Sequence, residues 1–582
     1  MRRAACLLLL LAFASPLAAQ PVADAFNELR NEWWTWRLQD DPLFASYVGE
    51  RSYDHLLEDV TSEARAARAE RADDFLRQLG AIDASALNRE QAISHGILRT
   101  LLDDVVQAHR FGAAMMPLQA SSGFHTMLTR LPNQMPFDGA EGYENYIARL
   151  QAWPAHVDAQ IANLRDGLAS GKTLPAVAIH GLPGTIAAHV VDDPETSVFW
   201  GPFESFPAAM PQVEQDRLAE AGRSAIREAI VPGYQAFLTF MEDEYLPGAR
   251  TTIGLSETPD GDAHYAWLVR HFTTLDISAQ EVHDIGLAEV ARIRGEMDAV
   301  IEEVGFEGSF DDFLEFLRTD PQFVANSPEA LLKEGAWIAM QMNAKLPALF
   351  GRLPRLPYTV EPVPDFLAPT FTAGYYVEPP ASGRVPGVYW LNTYDLPSRP
   401  MWALEALTFH EAVPGHHLQI ALAQELDHLP AFRRALVLTA YEEGWGLYAE
   451  SLGTEAGFYT DPYSRFGQLT YEMWRACRLV VDTGIHAFGW ERQRAIDYLG
   501  SNTALSELEV TTEIDRYIAW PGQALGYKMG ELTIRRLRTE AEQVLGETFD
   551  VRGFHDEVLG HGELPMGVLE TVIQEWIAAN EG

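Results

Sequence analysis

Along most of this 582-residue chain apolar positions recur three and four residues apart, the spacing that lays them on one face of an α-helix. The pattern predicts helices over 25–36, 62–79, 88–108, 142–167, 213–246, 260–272, 278–304, 311–318 and 327–350, and again from Met401 to the end. Local signals agree. The 62–79 stretch is rich in Ala, Arg and Glu, which are good helix formers; Ser278-Ala279-Gln280-Glu281 has the form of a capping box; Pro247-Gly248 ends the longest run. Residues 83–87 predict a turn, 111–137 irregular structure, and 178–184 a Gly/Pro turn whose glycine spacing does not match a phosphate loop. The aromatic cluster Trp33, Trp34 and Trp36 is read as core packing.

Between Arg352 and Pro400 the period changes. Prolines recur, and the β-formers of 374–377 and 387–392 predict two short strands joined through 379–383. Such a strand is either an edge to which an extended peptide adds or part of an ordinary small sheet. No fixed-period repeat, low-complexity tract or linker interrupts the chain. The expected fold is mainly α: a large helix-rich unit over 20–582, with room for two lobes around a deep cleft and a small sheet at about 370–395.

The N-terminus alters the compartment. Met1-Arg2-Arg3, an uncharged run from Ala4 to Ala14 and the small residues up to Ala19 describe a secretory signal peptide, 1–19. The run is shorter than the ~20 residues of a membrane-spanning helix. Cys6 precedes the apolar run rather than following it, which speaks against a lipid-anchored cysteine. A periplasmic or secreted protein is expected, with no membrane insertion in its mature form. Loss of Arg2 and Arg3 takes the formal charge from −40 to −42, an acidity that disfavours nucleic acid and anionic membranes as partners. Only Cys477 then remains, so no internal disulfide forms. Stability rests on the core, for which 47% hydrophobic residues are ample.

The chemistry concentrates in Phe409-His410-Glu411-Ala412-Val413-Pro414-Gly415-His416-His417-Leu418-Gln419 and in Tyr441-Glu442-Glu443-Gly444-Trp445-Gly446-Leu447-Tyr448-Ala449-Glu450. Zinc hydrolases use three protein ligands and keep a fourth position for water. Commonly two histidines stand one helical turn apart, with a glutamate beside the first as general base. Four residues after His410 stands Pro414, which binds no metal. On an unbroken helix His416 would lie roughly 9 Å from His410, and His417 about 10.5 Å. Bonds of about 2.0–2.1 Å close neither gap. Pro414-Gly415 offers the escape: a bulge of two residues drops His416 into register, a bulge of three His417. His416 is favoured, with His417 in the surrounding shell or the substrate pocket. Glu442, Glu443 and Glu450 are candidates for the third ligand. Gly444 and Gly446, each costing around 1 kcal/mol inside a helix, predict close approach of another backbone, that of the metal helix.

These two blocks, with Arg475 to His486 and Arg516 to Lys528, resemble a bacterial family catalogued as domain of unknown function family 885. At one remove they look like helical zinc peptidases of the thimet oligopeptidase, thermostable carboxypeptidase and angiotensin-converting enzyme type. That resemblance implies a metallopeptidase-like fold with a metal-site core at about 400–530. It makes Glu443 the third ligand and Tyr527 the tyrosine that steadies the tetrahedral intermediate.

The expectation is hydrolysis of short peptides, of carboxypeptidase or oligopeptidase type, with Zn2+ on His410, His416 and Glu443. Glu411 takes the water proton and passes it to the leaving amine, and Tyr527 or His486 donates to the oxyanion. Arg475, Arg478, Arg516 and Lys528 are candidates for a substrate carboxylate, and Tyr389 and His417 for the substrate pocket. The alternatives are a zinc amidohydrolase acting on a non-peptide amide and a zinc- or peptide-binding protein without turnover.

Overall fold

A computed structural model describes residues 16–365, 367–368, 371–379 and 385–581. Residues 1–15 of the signal-peptide reading, and residues 380–383 of the connection between the two predicted strands, lie outside the described residues. No helix in the described part is long and apolar enough to cross a membrane.

The chain is mainly helical with one small sheet. Helices α1 (Pro16–Asp40), α2 (Ser62–Gly80) and α3 (Arg89–Phe111) open it. Asn88 caps α3 reciprocally with Gln91, and Gly112 ends it in the left-handed region at φ +70°. Then come α4 (Ala140–Ser170), α5 (Gln212–Ala225), α6 (Val231–Phe240) and α7 (Ala279–Val304), the last begun by the Ser278–Glu281 capping box. The predicted 213–246 helix is widened twice into π turns, Ile226–Ile230 and Met241–Tyr245. Each runs into a proline, Pro232 or Pro247, whose missing N–H relaxes the ordinary ladder. Residues 118 to 245, built on α4, α5 and α6, share one apolar core. A larger core joins α1–α3 and α7 to the C-terminal helices.

The sheet has three strands, β1 (Tyr358–Pro362), β2 (Gly374–Val377) and β3 (Gly387–Leu391), in the order β1-β3-β2. β3 runs parallel to β1 and antiparallel to β2, with Tyr376 opposite Tyr389. β1 is absent from the sequence reading because Pro354, Pro357 and Pro362 break its pattern.

After the sheet follow α8 (Leu404–Glu411), α9 (His416–Gln424), α10 (Thr439–Glu455), α11 (Pro462–His486), α12 (Glu507–Ala519), α13 (Leu525–Leu545) and α14 (Met566–Asn580). Two long helix pairs form the centre, α7 on α11 and α10 on α13. Each pair meets at glycine. A Cβ at Gly286 of α7 would stand 2.7 Å from Leu479 Cβ, and one at Gly530 of α13 would stand 1.8 Å from the Ala440 carbonyl oxygen. Backbone cannot yield as a side-chain tip does, so Gly530→Ala must part α13 from α10. We expect it to destabilise the protein by about 1–3 kcal/mol, measured as a lower urea midpoint; an unchanged midpoint would show that the helices do not meet there.

Candidate metal centre

The 404–424 segment is two helices, not one helix with a two-residue bulge. α8 stops at Glu411, α9 starts at His416, and Ala412 to Gly415 leave the helical path altogether. The Val413–Pro414 peptide is cis. The Ala412 N–H still donates to the Thr408 carbonyl, and the His417 N–H reaches back to the Ala412 carbonyl. Gly415 folds onto the end of α8 so closely that a Cβ there would stand 2.0 Å from the His410 carbonyl oxygen and 2.4 Å from that of Phe409. From α10, the Trp445 indole N–H donates to the Pro414 carbonyl at 2.9 Å and holds the loop down. The His410 and His416 rings end 4.6 Å apart between centroids and nearly perpendicular.

α10 lies across this break and supplies the carboxylates. His410 Nε2 is 3.3 Å from Glu443 Oε2, and His416 Nε2 is 3.6 Å from the same oxygen. One ligand atom from each of His410, His416 and Glu443 falls within 4.8 Å of the others. The second face of His410 is also taken: Nδ1 meets Glu450 Oε1 at 2.8 Å, and Arg475 stands 3.5 Å from that oxygen. Glu450 is two turns along α10 from Glu443, a seven-residue spacing on one face visible in the sequence. Gly446 makes room for this arrangement, since a Cβ there would stand 2.7 Å from the His410 ring. Gly444 instead meets the backbone of Gly530 on α13, so only one of the two glycines faces the metal helix.

The charges follow from this packing. Burial opposes a proton on His410, yet Glu443 and Glu450 outweigh it and lift its pKa to about 9. Burial likewise disfavours charge on Glu443, but the two imidazoles hold its carboxyl well below the usual range. Burial raises the neighbouring Glu442 to about 7; His416 opposes the shift, and the charges of Glu443, Glu378 and Glu411 add to it.

Glu411 follows His410 on α8, is buried, and accepts the Tyr376 N–H from β2 at 2.8 Å. That N–H points out of the sheet, β2 being an edge strand. Tyr527 stands at the start of α13 beside Glu443; burial and that carboxylate push its phenol up to about 12. Arg478 lies over the Tyr527 ring at 4.1 Å.

Other residues singled out in the sequence are placed elsewhere. His417 points into the sheet, its Nδ1 with the Tyr376 hydroxyl at 2.9 Å and its Nε2 with the Leu356 carbonyl at 3.1 Å, so it ties α9 to β1 and β2 instead of facing a substrate. His486 accepts the Leu255 N–H and meets the Tyr517 carbonyl; with both ring nitrogens on backbone it has no donor left for an oxyanion. Lys528 is fully buried against Glu289, Glu472 and Glu531 at 2.9–3.0 Å, an ion cluster rather than a carboxylate receptor. Tyr389 is fully buried beneath Thr408. Arg516 is held by Glu513 and Gln523; Arg478 stays at the centre, over Tyr527, and is also held by Glu513 and the Tyr517 hydroxyl.

The chain matches the family model described as "Bacterial protein of unknown function (DUF885)" over residues 42–573. Two solved structures are similar along nearly its whole length. One, of a "putative lipoprotein" from Colwellia psychrerythraea, is 28% identical, with a TM-score of 0.88, covering 97% of this chain and 99% of that one. The other, of a "putative lipoprotein of unknown function" from Shewanella oneidensis, is 18% identical, with a TM-score of 0.72, covering 95% and 99%. No curated protein matches the chain.

Proposed function

The chain belongs to the bacterial family of unknown function DUF885, and we propose that it is an exported, zinc-dependent hydrolase of short peptides. One observation carries this reading: two imidazoles and a carboxylate converge beside a buried glutamate. Around a tetrahedral ion with bonds of about 2.0–2.1 Å, neighbouring ligand atoms stand about 3.3 Å apart. The distances of 3.3 and 3.6 Å to Glu443 Oε2 fit that spacing. Glu450 on His410 Nδ1 is the outer carboxylate that such ligands generally carry, fixing the tautomer that offers Nε2 to a metal.

Zinc bound by His410, His416 and Glu443 would polarise a carbonyl and lower the pKa of its water to about 7. Glu411 supplies the base: it takes the water proton and returns it to the departing amine. The Tyr376 N–H fixes one Glu411 oxygen, which leaves the other to accept the proton. Tyr527, pinned between Glu443 and Arg478, is the donor available to a developing oxyanion, a role worth about 2.7–4 kcal/mol in comparable sites.

Metal analysis tests the ligand set. We expect the purified protein to carry one zinc per chain and His410→Ala to carry none while keeping its helical circular dichroism. Full metal in the variant would remove His410 from the centre.

A further inference from the structure

Arg478 is a buried cation that the fold around it does not require. It projects from α11 one turn past Trp474 and is 3% exposed. Its guanidinium stands over the Trp474 ring at 4.5 Å and over the Tyr527 ring at 4.1 Å. Nε donates to the Tyr517 hydroxyl at 2.8 Å and Nη2 to Glu513 at 3.1 Å, both residues of α12. Nη1 is buried with no hydrogen-bond partner, out of reach of a ligand arriving from solvent.

The acid that holds Arg478 is already committed. Glu513 takes Arg516 on both its oxygens, at 3.1 and 2.9 Å, and accepts the Tyr517 hydroxyl at 2.6 Å. That hydroxyl in turn accepts the Trp474 indole N–H at 3.0 Å. Without Arg478 every one of these groups keeps a partner: Glu513 has Arg516, and Tyr517 has Glu513 and Trp474. Two guanidiniums share one carboxylate, so the clamp carries a positive charge in excess. Burying that charge costs stability, the more so with an N–H left unmatched. The charge lies against the ring of Tyr527, which stands beside Glu443. A cation on a ring face is drawn to its π electrons, and a phenol so polarised donates more strongly to a negative oxygen.

We propose that Arg478 is a positioning residue for Tyr527: clamped by Glu513 and Tyr517, it fixes the phenol and lends its charge to the hydroxyl that meets the oxyanion. The proposal rests on the hydrolase reading, with Tyr527 as its oxyanion donor. A cation that weakens the fold is kept because the transition state gains from it.

The test follows urea midpoint, zinc content, kcat and KM together, on the full-length protein with short peptides as substrates. Arg478→Met keeps most of the side-chain volume and removes the charge. We expect it to retain zinc and KM, hold or raise the midpoint, and lose at least tenfold in kcat. Arg478→Lys, which returns the charge, should recover most of that loss. Tyr527→Phe alone should lose about 10²–10³-fold. Adding Arg478→Met to it should cost nothing further, since Arg478 acts through that phenol. A raised KM with kcat intact would assign Arg478 to substrate binding and overturn the proposal. So would a lowered midpoint with unchanged kcat, a lysine variant no better than methionine, or additive losses in the double variant. No hydrolysis by the wild type, or normal turnover by Tyr527→Phe, is a separate failure: it sinks the underlying reading, and the proposal falls with it.

Discussion

Glu411→Gln is expected to keep its zinc and lose about 10²–10⁴-fold in hydrolysis. Glutamine retains the carbonyl oxygen that accepts the Tyr376 N–H, so strand and helix stay joined and the protein folds. What it loses is an oxygen able to take a proton. Steady-state rates on a library of short peptides, together with metal analysis, check both halves. Unaltered turnover would take Glu411 out of the chemistry, and a protein that captures zinc or peptide without turnover would be indifferent to the change.

Gly415→Ala is the second large effect, and it acts on geometry instead of chemistry. The added Cβ would meet two backbone carbonyls at 2.0 and 2.4 Å, neither of which can rotate away. The loop must lift off α8, and the two imidazoles part with it. Once the rings separate by more than an ångström or two, bonds of about 2.0–2.1 Å cannot reach one ion. We expect zinc affinity to fall at least 100-fold and stability to drop by about 3 kcal/mol. A chelator competition curve and a denaturant midpoint read the two effects separately; wild-type values for both would show that Gly415 does not set the spacing of the rings.

The sequence carried the helical frame well because amphipathic spacing and caps are local. Asn88, Ser278 and Gly112 mark helix ends by chemistry that needs nothing from the rest of the chain. Strand β1 was hidden for the same reason: its prolines speak against a strand locally, while pairing with β3 comes from elsewhere in the fold. At the centre, the failed histidine spacing pointed to a disturbed helix, but a bulge and a full break place His416 similarly and only coordinates separate them. Side-chain direction was the least legible property. His417 and His486 look like functional histidines in one dimension, yet backbone carbonyls distant in sequence take their nitrogens. Lys528 is likewise claimed by glutamates on α7 and α11, which no local pattern announces. Glu450 is the converse: its spacing from Glu443 was there to read, and its link to His410 became evident only once α8 lay across α10.

The glycine seam between α10 and α13 decides where this protein can change. Glu443 and Tyr527 ride on those two helices, and main chain presses on main chain at Gly444 and Gly530, leaving no intervening side chain to trim or enlarge. The distance between the carboxylate and the phenol is therefore not adjustable by small mutational steps. A designer redirecting this scaffold should leave the seam untouched and vary side chains that meet other side chains instead.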